Sequence, residues 1–171
     1  MDSYLDWLRL ELAEAMRGFT DDGMAQSPLG KWSASQILEH LLLTYQGTNA
    51  GLAKCCDKGK PLATRPTLMH RTATLLVVGL GYMPGGRKSP ERVVPRGMPP
   101  AEVRMAVLPE LQKMAANLDD CERRFGARTK IFDHLILGPL TPAQWRKFHW
   151  VHGIHHMRQI RERAGKMEVA K

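Results

Sequence analysis

The segment TPAQWRKFHWVHGIHHMRQIRERAG, residues 141–165, decides the fold, because it has the pattern of a long helix with an imidazole-rich face. Thr141 can cap the helix N-terminus, Pro142 suits the first helical position, and Gln144 completes a capping box. Four of the seven histidines of the chain lie within residues 149–156. Imidazoles turned toward a core need partners, because burying polar groups without partners costs free energy.

The histidines of this helix group by their positions on the helical wheel. At about 100° per residue, His149, His152, His156 and Gln159 fall in one sector. Side chains four residues apart lie roughly 5–6 Å from each other on one face, so the rings of His152 and His156 can approach a common ion. Pairs three residues apart, His149 with His152 or His152 with His155, are the alternative.

A second long helix is predicted upstream. Ser33 and Gln36 form a capping box, and the apolar spacing that follows predicts a helix over 33–57. Residues 3–18 also place leucines at helical spacing. On the wheel of the 33–57 helix, His40 lies beside the apolar stripe, so we expect it to face inward.

Two further segments have apolar patterns. Residues 100–125 predict a helix, in which Pro109 indicates a kink or a later start. The apolar segment 67–80 fits either a helix or a buried strand, and we favour a helix because no other segment offers a partner strand. The expected fold class is therefore all-α: a four-helix bundle with one extra short helix, built as a single domain over residues 1–171.

The remaining segments are predicted connections. Residues 20–32 have the composition of a loop, and residues 126–140 that of a connector. The Pro/Gly-rich stretch 81–100 is unusually long for a loop inside a domain, and such loops often have a function, so we expect it to lie across a site.

Length and composition set the class of protein. A chain of 171 residues can bury the core of one domain. Its start lacks the basic segment of a signal peptide, and its apolar runs fall short of the ~20 residues that a membrane span needs. We expect a cytoplasmic protein without a membrane-spanning segment.

Cysteine usage and charge exclude other classes. Cys55, Cys56 and Cys121 are too few for a disulfide framework; packed thiols are the simpler interpretation, and a redox or metal role is the alternative. The net charge of +8 is spread over several segments with few aromatic residues nearby, so nucleic-acid binding is not expected.

A metal site follows from combining the two histidine-bearing helices. His40, His152 and His156 would supply three imidazoles and leave a coordination position open, as in catalytic rather than structural zinc sites. The sequence contains no H-E-x-x-H and no Glu-x-x-His, so zincin and ferritin-like centres are excluded. Gln159 is either an outer partner of a ligand or an ordinary surface or core amide.

Beyond the individual residues, the order and spacing of KWSASQILEHLLLTY, GYMPGGRKSPE and LTPAQWRKFHWVHGIHHMRQI resemble the DinB-like superfamily of metal-binding four-helix bundles over nearly the whole chain. The resemblance implies one divalent ion, most often zinc or nickel, held by His40, His152 and His156. It also implies a homodimer. Relatives often have a His-Pro pair before the GPLT turn, whereas this chain has His134 without the proline. His134 is therefore either loop surface or the rim of the site.

Three functional hypotheses follow. Relatives in the superfamily include transferases that use low-molecular-weight thiols and a glutathione-dependent isomerase, which implies a metal-dependent, thiol S-transferase-like enzyme acting on a small-molecule substrate. Arg87, Lys88 and Arg92 of the long loop would then contact an anionic ligand, or they simply form a solvated loop. The alternatives are a non-catalytic metal-binding bundle, acting as a sensor or dimeric interaction module, and a nucleic-acid binder.

Overall fold

The computed structural model describes residues 3–85 and 88–168 as a predominantly helical protein, which confirms the predicted all-α class. In chain order the helices are α1 (Ser3–Met16), α2 (Asp21–Ala25), α3 (Ala34–Asp57), α4 (Leu68–Thr74), α5 (Pro100–Phe125) and α6 (Pro142–Glu168). The four long helices α1, α3, α5 and α6 form the bundle, with α3 packed on α5 and α1 packed on α6.

The core lies between these four helices. Leu8 and Leu12 of α1, Leu41 of α3 and Leu111 of α5 are all buried, as their helical spacing predicts. Each such side chain contributes roughly 1.5–3 kcal/mol of burial free energy, so the bundle is held mainly by apolar packing. Within the described ranges, none of the helices has the length and apolarity needed to cross a bilayer.

Capping boxes begin the two helices that carry the histidine cluster. The backbone N–H of Gln36 donates to Ser33 Oγ at 3.1 Å, and Gln36 Oε1 accepts from the Ser33 N–H at 2.9 Å. Thr141 and Gln144 make the same reciprocal pair at the start of α6, at 3.1 and 3.2 Å. Both predicted helix starts are confirmed.

The apolar segment 67–80 is helical, so the prediction of a helix is confirmed and the strand alternative is wrong. After α4 the chain continues into a π-helical turn, Leu75–Gly79, in which Leu80 N donates to Leu75 O at 2.9 Å. π-Helical turns occur frequently at functional sites.

Pro109 lies inside α5, which runs through it from Pro100 to Phe125. The alternative of a later helix start is therefore wrong. Proline removes one helical hydrogen bond, and the packing of α5 along α3 compensates for that loss.

Two segments that were expected to be irregular contain short elements. Residues 126–140 include an antiparallel hairpin of β1 (Phe132–His134) and β2 (Gly138–Leu140), and residues 20–32 include α2. His134 Nδ1 accepts from the backbone N–H groups of Ile136 and Leu137, both at 3.1 Å, which closes the hairpin turn. The prediction of a plain connector was wrong, because three-residue strands are too short to show alternation.

Candidate metal centre

Three histidines from helices α3 and α6 meet in the interior of the bundle. His40 of α3 and His156 of α6 are buried, and His152 of α6 is half-buried. His152 Nε2 lies 3.2 Å from His40 Nε2 and 3.1 Å from His156 Nε2. Their ligand atoms all lie within 4.8 Å of one another, so the three side chains could hold a metal ion.

Hydrogen bonds to the outer nitrogens fix the orientation of two of these rings. His40 Nδ1 lies 2.7 Å from the carbonyl oxygen of Val93, which can only accept, so Nδ1 carries the proton. His156 Nδ1 lies 2.9 Å from Gln159 Oε1, and the same reasoning applies. In both rings Nε2 is left with its lone pair directed at His152.

The arrangement of these nitrogens suits a cation. With two lone pairs facing His152 Nε2, the proton of a neutral His152 could satisfy only one of them, whereas an ion between the rings would use all three. Three nitrogens at ~2.0–2.1 Å from a tetrahedral ion are separated by roughly 3.4 Å, close to the separations seen here. His152 Nδ1 is buried and has no hydrogen-bond partner among the described residues. The donor set therefore fits a divalent ion.

Burial keeps these imidazoles neutral, which is the form that binds metal. Burial lowers the pKa of His40, and the hydrogen bond to Val93 only partly offsets it. Burial, with the neighbouring histidines adding to it, lowers the pKa of His152 well below its ordinary value. Burial and then the proximity of His40 lower the pKa of His156 to about 3. At neutral pH the cluster is ready to bind an ion without first losing protons.

The long loop is fastened beside His40 by the preceding residue, Glu39. This buried carboxylate accepts hydrogen bonds from the backbone N–H groups of Arg96, Gly97 and Met98, at 2.7, 3.0 and 3.0 Å. The same loop supplies the Val93 carbonyl that orients His40. The loop thus lies across the site, as expected, and takes part in building it.

An open cavity of about 1030 Å³ lies beside the three histidines. Its walls are largely apolar and aromatic, with Trp32 from the segment before α3, Phe148 from α6, and Met83 from the long loop. Phe148 stacks on His152 with the ring centroids 5.5 Å apart. A small organic molecule could therefore reach the open side of the cluster along largely apolar walls.

The remaining histidines of α6 differ in their surroundings. His155 lines the cavity and lies 3.1 Å from Gln159 Nε2, so Gln159 joins His155 to His156. Of the two interpretations of Gln159, the structure favours the one in which Gln159 is the outer hydrogen-bond partner of the ligand His156.

His149 is fully buried, lies 3.1 Å from Thr48 Oγ1 and stacks on Trp145, which makes it a core histidine outside the cavity lining.

His134 lies on the cavity wall, where its ring contacts Phe148 at a centroid distance of 4.4 Å. Burial lowers its pKa to about 4. Its position favours the rim over the loop surface, although its Nδ1 is occupied with the hairpin turn.

Two of the three loop residues that were predicted to contact an anionic ligand lie at the cavity mouth. Lys88 and Arg92 are exposed and line the cavity. Arg87 falls outside the described residues. A contact between these two cations and an anionic ligand therefore stays a prediction.

The three cysteines form a separate group between α3 and α5. Cys55 and Cys121 are buried and Cys56 is half-buried, with 3.5 Å between the sulfur atoms of Cys56 and Cys121. In the part of the chain that the structure describes, no group of three metal-binding side chains includes a cysteine. Packed thiols remain the simpler interpretation.

Two residues of the site were not predicted from the sequence. Glu39 is an acid within an otherwise apolar run, and Arg163 follows His156 by seven residues and therefore shares its helical face. Each is almost fully buried, with 2% of Glu39 and 8% of Arg163 exposed. The helical wheel could have identified both as charged residues at the edge of an inward face.

The comparisons with known proteins add one finding. The model of a family described as "Protein of unknown function (DUF1569)" matches residues 8–163, so the chain belongs to that family. The match includes all three histidines and the long loop. No curated protein and no solved structure matches the chain.

Proposed function

We propose that this member of the DUF1569 family is a divalent-metal-dependent enzyme with thiol S-transferase-like chemistry. The observation that carries the proposal is the convergence of three Nε2 atoms, from His40, His152 and His156, at the edge of an open apolar cavity. A structural metal site would be closed by a fourth protein ligand, whereas this cluster contains three.

When bound, a divalent ion with a free coordination position supplies Lewis acidity, which lowers the pKa of a thiol or a water molecule. In the proposed reaction a bond forms between the thiol sulfur and an electrophilic carbon. The thiol proton passes to solvent, and the leaving group departs with the electron pair of its former bond. Zinc or nickel is the expected metal from the resemblance to the DinB-like superfamily, since three imidazoles alone accept several divalent ions.

The side chains of this protein would contribute orientation and exclusion of water. Val93 O and Gln159 Oε1 hold the rings of His40 and His156 in their binding orientation. The aromatic side chains of Trp32 and Phe148 would replace part of the water around the electrophile with apolar surface. Lys88 and Arg92 at the mouth would attract the carboxylates of a low-molecular-weight thiol cofactor.

The test begins with metal analysis of the purified full-length protein. One equivalent of zinc or nickel is expected in the wild type and in His70→Ala, which alters a histidine outside the cavity lining, and much less in His152→Ala. The metal-loaded protein is then incubated with glutathione or cysteine and with electrophiles such as 1-chloro-2,4-dinitrobenzene, and thioether formation is followed by mass spectrometry. Product at the His152→Ala background across a broad panel would exclude the enzymatic proposal.

The second candidate is a non-catalytic metal-binding bundle, acting as a sensor or interaction module. The groups that hydrogen-bond to His40 and His156, the Val93 carbonyl and the Gln159 amide, are neutral and cannot exchange protons with a substrate. This observation favours the second candidate. It predicts a large chelator-induced fall in melting temperature and no affinity for thiols. Thiol binding measured by calorimetry separates the two candidates.

Other features of the proposal rest on the sequence alone. Membership of the DinB-like superfamily, a homodimeric state and a cytoplasmic location are proposed from the motifs and composition described above. Weak or salt-sensitive binding to nucleic acid is the most that we expect from the dispersed positive charge.

A further inference from the structure

The cavity contains a buried cation that the metal site does not explain. Arg163 of α6 lines the cavity and is 8% exposed. Its Nε donates to the carbonyl oxygen of Trp32 at 3.1 Å, while its Nη1 is buried without a hydrogen-bond partner among the described residues. Among the residues whose side chains are described, the nearest acid is Glu162, whose side chain is 65% exposed and whose Oε2 forms an ion pair with Nη1 at 3.6 Å, slightly beyond hydrogen-bond distance.

A second buried arginine, Arg146, has its positive charge neutralised by carboxylates. Arg146, also 8% exposed and also on α6, forms ion pairs with Asp119 at 2.6 Å and Glu122 at 2.5 Å. Arg146 lies outside the cavity lining, whereas Arg163 lies within it. A buried guanidinium is costly unless an anion pairs with it, and among the described residues Arg163 has only the long ion pair with the exposed Glu162.

Arg163 is also close to the histidine cluster. Trp32, whose carbonyl accepts from Arg163, contacts His40 with the two rings 5.3 Å apart. Along α6, Arg163 follows His156 by seven residues, which is roughly 10 Å of helix, and arginine side chains on a helix lean back toward its N-terminus. One small molecule could therefore contact both the guanidinium and the open side of the cluster.

We propose that Arg163 binds the carboxylate of the substrate, and that the substrate is an organic monocarboxylate with an apolar body. Guanidinium and carboxylate pair through parallel hydrogen bonds. At the Arg163 end of the cavity one guanidinium lies beside the carboxylate of Glu162, which favours a monoanion there over a dianion such as phosphate. The other acid of the cavity lining, Asp133, is occupied by the backbone N–H and hydroxyl of Thr64, at 3.0 and 2.6 Å.

The apolar body follows from the wall between the two ends of the site. Trp32 contacts both Arg163 and His40, and Phe148 stacks on His152 on the other side of the cluster, so a molecule bound along this wall exchanges water for aromatic surface. The inference deepens the proposed function by naming a substrate class, and it rests on that function only for the reaction at the far end of the cavity.

The test compares an acid with its neutral analogue. Calorimetry on the full-length protein, both zinc-loaded and chelator-treated, measures the affinity of 4-phenylbutyrate and of 4-phenylbutyramide. We expect the acid to bind at least about 10-fold more tightly than the amide in both preparations. Arg163→Met should abolish this preference, and Arg163→Lys should retain part of it. Arg158→Met, which removes an exposed arginine of the same helix, should leave it unchanged.

The outcomes separate this proposal from the metal site. Equal affinities for acid and amide, no measurable binding of the acid, or an acid preference that survives Arg163→Met would each overturn it. If the acid binds only when zinc is present and ignores Arg163→Met, the carboxylate binds the metal, and the anion site is refuted while the metal site stands. If the preference persists in protein that never binds metal, the anion site stands and the proposed enzyme does not.

A measurement on the wild type guards against variants that fail to fold. The Nε–H resonance of Arg163 in a ¹H–¹⁵N spectrum should shift when the acid is added and not when the amide is added. An identical response to both ligands would contradict a role for the guanidinium.

Discussion

His40 and Val93 are joined by a 2.7 Å contact between the ring Nδ1 and the carbonyl oxygen, although 53 residues separate them along the chain. This contact sets the tautomer of His40 and thereby directs Nε2 toward the other two histidines. The conformation of the long loop is thus linked to the ability of His40, on α3, to bind a metal ion. Glu39 stabilises the link, because it holds the next part of the loop through three backbone N–H groups.

Replacing Glu39 tests this link. Glu39→Gln removes the negative charge from three donors, which should lower the free energy of unfolding by about 1–3 kcal/mol. Since Val93 then holds His40 less firmly, zinc affinity should fall by about 10–100-fold. Competition with a chromophoric chelator measures the affinity. Glu91→Gln, an exposed acid of the same loop, is the control, and an equal loss there would refute the link.

We expect Gln159 to affect metal affinity only through its hydrogen bond to His156. Gln159→Leu removes the acceptor for His156 Nδ1, and zinc affinity should fall about 10-fold. Gln159→Glu keeps an acceptor at the same place and should retain affinity near that of the wild type. The same chelator competition measures both, and the prediction fails if the two variants behave alike.

The stability of the metal-free protein should depend on pH through its buried histidines. Burial, and then the proximity of His134, lower the pKa of His149 to about 3, and burial lowers the pKa of His134 to about 4. The unfolded chain, with histidine pKa values of about 6.5, therefore binds more protons than the folded chain below that pH. Stability is fully present above about pH 6.5 and is lost as the pH falls toward 4, with each such histidine adding up to about 1.4 kcal/mol per pH unit.

Urea unfolding in the presence of a chelator, between pH 4 and 7.5, measures this slope. His149→Gln should make it shallower by about one proton, whatever its effect on stability at neutral pH. An unchanged slope would show that His149 is not held neutral in the folded state.

Gly153 should resist substitution despite its position in a helix. Helix propensity alone predicts a gain of about 1 kcal/mol for alanine. However, a Cβ at position 153 would lie 2.3 Å from Cδ1 of Leu8, so this side chain must shift, and because Leu8 is fully buried it shifts against the packed core. Overpacking of this kind costs about 1–3 kcal/mol, which leaves a net loss of up to about 2 kcal/mol after the propensity gain, so Gly153→Ala should lower the melting temperature by up to about 8 °C.

Gly47 provides the matched control, since it is also helical and a Cβ there would meet no atom within 4 Å. Gly47→Ala should raise the melting temperature. A rise of equal size in Gly153→Ala would show that α1 and α6 are not in close contact at this point.

The cysteines should differ in reactivity. Burial raises the pKa of Cys55, and burial together with the contact to Cys56 raises the pKa of Cys121 to about 12, so both thiols remain protonated and shielded. Cys56 is half-buried. In native protein a disulfide reagent such as DTNB should modify one thiol rapidly, and Cys56→Ser should remove that phase. Rapid modification of two or three thiols would contradict this packing.

The sequence predicted the features that depend on local patterns. Capping boxes located the starts of α3 and α6, and helical wheels placed His40, His152 and His156 on inward faces.

Local pattern could not reveal the hairpin, because its pairing depends on contacts of His134 and on Gly138, whose φ is +68°. The helical wheel places Glu39 and Arg163 at the edge of inward faces, but it could not reveal their partners, which are a loop backbone and the carbonyl of Trp32.

The π-helical turn Leu75–Gly79 has a consequence for how the length of this chain can vary. Such a turn contains one residue more than an α-helix needs to cover the same rise. Leu76 and Val77 face the cavity, and the long loop begins shortly afterwards. A deletion of one residue within this turn would restore ordinary helical geometry while leaving both flanking segments in place. Related chains one residue shorter are therefore expected to carry their gap here.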